Sequence, residues 1–202
     1  TDTAFWKSDL NGQWEQGRAF LYQSGNNADK IILWMRIPMM MLALFFGWLF
    51  FGWTKKYFGA KTAIIALAFY AFSPTFIAHS RFVTTDLAAA FAFFIGIVYF
   101  LLFLENPGWK NVVLAGLAFG VAQLLKFSLF LLIPVYGLLL ILWILAQTHL
   151  RWKNRVNIFF GLLGKTIVIG IIGIVLIWAV YAYHVWDYPM ERQLRDSEFI
   201  LG

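Results

Sequence analysis

Apolar runs long enough to cross a lipid bilayer recur along this 202-residue chain. A spanning helix needs about 20 mostly apolar residues. Five stretches qualify or come close: Ile31 to Trp53, Lys61 to His79, Leu87 to Leu104, Val112 to Ile144 and Thr166 to Tyr183. Only 13% of the residues are charged, against roughly 25% in soluble domains. This composition excludes a soluble globular fold and predicts a polytopic integral membrane protein.

Two of these runs contain an internal break. The second run passes through Pro74, where we expect a kink. The fourth is too long for one ordinary crossing, and its only polar break is at Lys126. We therefore divide it into a short helix from Val112 to Leu125 and a second helix from Phe127 to Ala146. The sequence predicts an all-α transmembrane bundle of about six spanning helices.

The basic residues predict how the bundle is oriented. Three alternate loops hold eight of the sixteen Lys and Arg residues and a single acid, Glu105; the basic residues are Lys55, Lys56, Lys61, Lys110, Arg151, Lys153, Arg155 and Lys165. Because cytoplasmic loops are enriched in Lys and Arg, we expect these three loops to face the cytoplasm. Merging the two halves of the fourth run would place the last basic loop outside, which also favours the division at Lys126.

We expect three regions: an extracytoplasmic or interfacial segment (residues 1–30), a transmembrane helical domain (31–183) and an extracytoplasmic tail (184–202). The stretch from Thr3 to Gln23 is aromatic and of mixed polarity, which suits a helix in the headgroup region or packing on an extracytoplasmic domain. The chain begins without Met or the features of a signal peptide. We therefore expect it to be part of a longer protein.

Several classes of function lack support. The net charge of +6 does not form a basic stripe along a polar helix, which argues against a nucleic-acid partner. There is no cysteine, so disulfides and thiolate metal sites are excluded. His79 has no second ligand at metal-binding spacing, and no nucleotide-binding or Ser-His-Asp motif occurs. We predict no metal site and no cofactor.

Ionisable groups at membrane depth are costly and are functional candidates by default. Those on the predicted extracytoplasmic side are Arg36, His79, Arg81, Asp86 and Lys126. Each has a plain structural alternative. Asp86 follows Thr84 and Thr85, where a hydroxyl can cap a helix and the helix dipole favours a carboxylate. Arg81 can pair with Asp86 or bind a phosphate, and both Arg81 and Lys126 can instead extend to the membrane surface.

Two strings resemble segments of a known family of membrane enzymes. SPTFIAHSRFVTTDLA runs from Ser73 to Ala88, and LAGLAFGVAQLLKFS runs from Leu114 to Ser128. Together with the stretch from Asn27 to Pro38, they resemble the dolichyl-phosphate-mannose protein mannosyltransferase superfamily, particularly its bacterial members. The resemblance covers most of residues 13–145.

The resemblance implies a GT-C-like glycosyltransferase that takes a sugar from a polyprenyl-phosphate donor on the extracytoplasmic side. It implies that Arg81 and Asp86 are catalytic: Arg81 contacts the donor phosphate or orients the base, and Asp86 organises its loop. Lys126 is implied to neutralise phosphate as charge develops. Such enzymes are expected to use an acid in an earlier loop as the base, and Asp2 and Asp9 do not match that motif.

The resemblance implies membrane lipids, a polyprenyl-phosphate-linked sugar and a protein, lipid or glycan acceptor as partners, and other membrane subunits remain open. The compact loops favour a bacterial inner (plasma) membrane. The alternative function is a non-catalytic scaffold subunit of a larger membrane complex. A transporter would place charges at the midplane and break more helices, whereas these charges gather at one boundary.

Overall fold

The computed structural model describes residues 12–201, without the side chains of residues 192, 196 and 199–201. Every element in this range is helical. The elements are α1 (Gln13–Arg18) with a following π-helical turn (Ala19–Gln23), α2 (Ala28–Phe72), α3 (Pro74–Arg81), α4 (Asp86–Glu105), α5 (Trp109–Leu125), a 3-10 turn (Phe127–Leu131), α6 (Leu132–Ala146), α7 (Trp152–His184) and α8 (Met190–Leu201). Asp2, Asp9 and the first part of the predicted interfacial segment lie outside the described residues.

Four helices are long and apolar enough to cross a membrane: α2, α4, α7 and the continuous stretch Phe127–Ala146. The helix α5 is also apolar but has only 17 residues. Many large apolar side chains along these helices are exposed, as in Leu44 at 76% and Trp178 at 70%. A helix that is apolar all round belongs in lipid. The prediction of an all-helical membrane protein is confirmed, and the number of crossings stays a prediction.

The chain divides into two compact units: unit 1 comprises Thr1–Val83 and Asp187–Gly202, and unit 2 comprises Thr84–Trp186. In unit 1, α2 folds back on itself at Gly59. The hydroxyl of Tyr70 donates a 2.8 Å hydrogen bond to the carbonyl of Ala43, although 27 residues of straight helix would separate them by about 40 Å. The two arms therefore pack as a hairpin, in agreement with the break predicted between the apolar runs Ile31–Trp53 and Lys61–His79.

Gly59 makes the turn possible because its φ of 85° and ψ of 167° lie in a region that L side chains rarely adopt. We expect Gly59→Ala to lower the free energy of unfolding by about 1 to 3 kcal/mol. Unfolding in mixed detergent micelles measures this change. Gly52→Ala is the matched control, because Gly52 lies inside α2 with nothing within 4 Å of an added Cβ, and should be neutral or stabilising. Equal losses in both variants would contradict the hairpin.

The break predicted at Pro74 is confirmed. Ser73 is extended, with a ψ of 120°, and Pro74 is the first residue of α3. Proline suits this position because the first turn of a helix needs no N–H donor there. Phe76 anchors α3 on the hairpin: its ring centroid lies 4.5 Å from that of Tyr70 and 5.9 Å from that of Phe46.

In unit 2, α4 to α7 and the 3-10 turn share one core. Tyr136 lies at its centre, 4% exposed, and its ring stacks on Phe100 with the centroids 4.0 Å apart. Its hydroxyl donates a 3.0 Å hydrogen bond to the carbonyl of Gly96. A buried hydroxyl without an acceptor would be costly, so this bond allows a tyrosine to sit inside the bundle and joins α6 to α4.

Glycines bring α5 and α7 into backbone contact. An added Cβ on Gly120 would lie 3.0 Å from the Cα of Gly173. Of the four glycines in α7, only Gly173 makes such a close approach, since Gly161, Gly164 and Gly170 have open space around an added Cβ. Small residues are the usual means of packing helices in lipid.

Gly116 tests this packing, because an added Cβ would lie 2.7 Å from the Cβ of Ile172 on α7. We expect Gly116→Ala to force the helices apart and to cost about 1 to 3 kcal/mol of unfolding free energy. Detergent-induced unfolding gives the measurement. Gly164→Ala, with no atom within 4 Å of its added Cβ, should not destabilise the protein. Stability retained by Gly116→Ala would contradict the close contact.

The division of the fourth run at Lys126 is confirmed, because Lys126 is extended between α5 and the 3-10 turn. The predicted start of the last spanning helix at Thr166 is wrong. The helix α7 already begins at Trp152 and has 33 residues, which is about 50 Å and exceeds the roughly 30 Å hydrocarbon core. Part of the basic stretch assigned to a loop, including Lys153 and Arg155, is therefore helical.

Candidate functional site

Two arginines of unit 1 line one cleft. Its volume is about 480 Å³. Its lining residues are Arg36, Pro74, Ile77, Ala78, Arg81 and Phe82. Arg36 lies near the start of α2 and is half-buried, whereas Arg81 is the last residue of α3 and is exposed. The break at Ser73 and the packing of Phe76 on the hairpin bring these two residues, 45 positions apart, to the same cleft.

The electrostatics of this cleft favour an anion. Neither guanidinium makes a hydrogen bond or ion pair with another described residue of unit 1, and none of the described lining residues is acidic. Two like charges in one cleft repel each other. A phosphate offsets this repulsion, and the planar fork of each arginine matches its oxygens. We call this cleft the arginine cleft.

An ion pair connects two helix ends in unit 2. The Nζ of Lys126 lies 2.7 Å from the Oδ1 of Asp86, with the two side chains 39% and 44% exposed. Asp86 is the first residue of α4 and Lys126 is the residue that follows α5. The pair therefore holds the beginning of α4 against the end of α5.

The local structure at each helix end explains where Asp86 and Lys126 lie. Thr85 precedes α4, but its side chain makes no capping hydrogen bond, so the hydroxyl cap that was one alternative for this position does not form. The carboxylate of Asp86 occupies the first turn instead, where the helix dipole favours negative charge. At the other end of the pair, the amide of Gln123 donates a 2.9 Å hydrogen bond to the carbonyl of Leu129. This bond fixes the 3-10 turn that follows Lys126.

The candidate residues thus fall into two groups. Asp86 and Lys126 are together in unit 2, and Arg81 lies with Arg36 in unit 1. No role for Arg36 follows from the sequence alone, although the stretch from Asn27 to Pro38 is part of the resemblance. His79 is half-buried in α3. Among the described residues, no three His, Asp or Glu side chains are grouped as metal ligands.

A double-mutant cycle tests the ion pair. We expect Asp86→Asn and Lys126→Gln each to lower stability, with a coupling energy of about 1 kcal/mol or less because the pair is partly exposed. Thermal unfolding in nanodiscs measures each corner of the cycle. The exchanged pair, Asp86→Lys with Lys126→Asp, should recover part of the loss. Strict additivity of the two single substitutions would show that the contact contributes no stability.

The fold and these sites define an integral membrane protein with basic groups gathered at helix ends. A family model for dolichyl-phosphate-mannose-protein mannosyltransferase matches residues 28–178, more than half of the chain. The chain therefore belongs to this family, which confirms the resemblance drawn from its sequence. The matched range contains the arginine cleft and the Asp86–Lys126 pair. No curated protein and no solved structure matches the chain.

Proposed function

We propose that this chain belongs to a glycosyltransferase that moves a sugar from a polyprenyl-phosphate donor to an acceptor on the extracytoplasmic side. Family membership supports membrane glycosyl transfer. The observation that carries the choice of donor is the arginine cleft, which Arg81 lines together with a second arginine and with no acid among the described lining residues. Such a cleft suits a phosphate attached to a membrane lipid.

The proposed reaction breaks the bond between the sugar C1 and the phosphate oxygen and forms a bond from C1 to the acceptor oxygen. The acceptor proton passes to a base, a role that we assign to no described residue. The polyprenyl phosphate leaves with increased negative charge, which positioned cations stabilise. Arg81 is proposed to bind this phosphate before and during bond cleavage.

Asp86 and Lys126 are proposed to act as a pair. The 2.7 Å contact fixes the first turn of α4, directly after the segment that follows Arg81 in the chain. An ammonium group has three N–H donors, so the bond to Asp86 leaves Lys126 with donors for a phosphate oxygen. Asp86 is then a positioning residue, and Lys126 combines that role with charge neutralisation.

The positive-inside rule supports a site on the extracytoplasmic side, because the basic loops gather on the opposite side of the predicted topology. One contact agrees with this grouping. Lys165 donates a hydrogen bond to the carbonyl of Pro107 and lies 5.9 Å from the ring centroid of Trp109. The turn between α4 and α5 is thus in contact with the basic half of α7, as expected of regions on one side. We propose a bacterial inner membrane as the location.

Turnover of a polyprenyl-phosphate sugar by the intact parent protein in nanodiscs tests this function. We expect Arg81→Gln to reduce donor consumption about 100-fold or more, because removing a donor to the developing charge has effects of this size. Arg81→Lys keeps the charge but not the planar fork and should retain more activity.

Arg151→Gln is the matched control, because Arg151 precedes α7 outside the arginine cleft, and it should leave turnover unchanged. Unfolding curves establish that all variants are folded. A folded wild-type parent that consumes no such donor would reject the proposed enzyme and favour the scaffold subunit.

A further inference from the structure

We infer that Gln123 is a positioning residue for Lys126, because its side chain bridges the break between α5 and the 3-10 turn and thereby sets where the ammonium group lies. The inference rests on the proposed function, in which Lys126 neutralises the phosphate as charge develops. It deepens that function by naming a residue that carries no charge of its own and acts through Lys126.

The backbone leaves the helical path for one residue at Lys126. Its φ of −157° and ψ of 120° are extended, between the end of α5 and the start of the 3-10 turn. The N–H of Lys126 donates a 3.1 Å hydrogen bond to the carbonyl of Ala122, and its own carbonyl accepts a 3.0 Å bond from the N–H of Leu129. Because φ and ψ are the soft dihedrals of a residue, a rotation here would move the ammonium group while both helical segments stay intact.

Gln123 limits this rotation by a bond that spans the break. Its Nε2 donates a 2.9 Å hydrogen bond to the carbonyl of Leu129, so Lys126 lies inside a closed loop. Leu129 is a firm anchor because it is 8% exposed and belongs to the shared core of unit 2. Gln123 itself is half-buried, where an amide without a partner would be costly. We call this bond the Gln123 clamp.

The ion pair with Asp86 depends on the position of this loop. The Nζ of Lys126 lies 2.7 Å from the Oδ1 of Asp86, and both side chains are partly exposed. Water therefore competes for each charge, which makes an exposed pair weak unless its geometry is held. A group that stabilises developing charge must also keep its position to within about 0.5 Å. The Gln123 clamp serves both requirements by holding the backbone that carries Lys126.

A purely structural role for Gln123 makes a different prediction. Loss of its bond would then lower stability without affecting Lys126 in particular. A comparable bond at the other end of α5 provides the control: the Nδ2 of Asn111 donates a 2.8 Å hydrogen bond to the carbonyl of Asn106. Asn111 lies in the first turn of α5 and Gln123 in its last turn, so the two bonds can be removed separately.

The first experiment uses the intact protein in nanodiscs and needs no donor or acceptor. The double-mutant cycle of Asp86→Asn and Lys126→Gln is measured by thermal unfolding and repeated with Gln123→Met. Methionine is similar in length but donates no hydrogen bond, and Gln123 lines a cavity of about 410 Å³, so the replacement does not overpack. We expect the coupling energy of the pair to fall by about half or more. With Asn111→Leu it should keep its wild-type value.

The second experiment measures turnover by the intact parent protein. We expect Gln123→Met to lower kcat about tenfold with KM nearly unchanged, because a misplacement of about 1 Å costs up to about 100-fold. Gln123→Met combined with Lys126→Gln should be no slower than Lys126→Gln alone, since residues that act as a unit are not additive. Asn111→Leu should keep the wild-type kcat and KM.

Gln123→Glu is a second variant that keeps the inference testable if Gln123→Met does not fold. It keeps the shape of the side chain, but an ionised carboxylate accepts hydrogen bonds and donates none. We expect it to lose the coupling and the kcat to at least the same extent as Gln123→Met.

Several results would overturn the inference. Unchanged coupling in the Gln123 variants would show that the Gln123 clamp does not position Lys126. Losses from Gln123→Met and Lys126→Gln that multiply would show that the two residues act separately. Equal losses in Asn111→Leu would show a general effect on stability, and a raised KM with normal kcat would assign Gln123 to substrate binding.

The two experiments separate this inference from the proposed function. A folded wild-type parent that transfers no sugar would reject the proposed function, and the coupling energy would still decide whether Gln123 positions Lys126. Normal turnover in a Gln123 variant with unchanged coupling would reject the inference and leave the proposed function standing.

Discussion

A lipid solvent removes most of the hydrophobic drive that packs helices together in water, because lipid tails are as apolar as the side chains. Close backbone approach and a few internal hydrogen bonds must take its place. Gly116, Gly120 and Gly173 supply the close approach between α5 and α7. Tyr70 and Tyr136 supply the hydrogen bonds, each by donating its hydroxyl to a backbone carbonyl on a neighbouring helical segment. The candidate sites depend on this packing, since it fixes the helix ends that carry the charges.

The lipid environment also explains why the few charged residues point to candidate functional sites. A charge at a membrane boundary is retained only if it reaches water, finds a partner or binds a ligand. Lys126 and Asp86 have each other, at 2.7 Å. Arg36 and Arg81 share a cleft with no acid among its described lining residues, which is the arrangement expected of an anion site. The proposed roles follow: Asp86 and Lys126 fix a helix end, Arg81 binds a phosphate, and Lys126 adds charge neutralisation.

Two helix ends could be predicted from the sequence because the type of residue itself interrupts the helix or the apolar run. Pro74 cannot donate a backbone hydrogen bond and Lys126 interrupts a long apolar run, and both mark real helix ends. Sequence reasoning failed at the start of α7, because hydropathy reports where a helix is apolar and not where it begins. Lys153 and Arg155 are helical outside the apolar part. It also left Arg36 without a role, since nothing local shows that residue 36 and residue 81 meet.

The sequence by itself determined that the chain lies in a lipid bilayer, that it is helical and which family it belongs to. These results depend on the length of the apolar runs, on the need for backbone hydrogen bonds in lipid and on short motifs, which are all local properties of the chain. The sequence also determined which ionisable residues stand at helix ends. Only the tertiary structure decided which of them meet. The turn at Gly59 and the anchoring of α3 by Phe76 bring Arg36 and Arg81 to one cleft, and the packing of α4 with α5 brings Asp86 to Lys126. These pairings span 40 or more residues and depend on how helices pack, which no local pattern encodes.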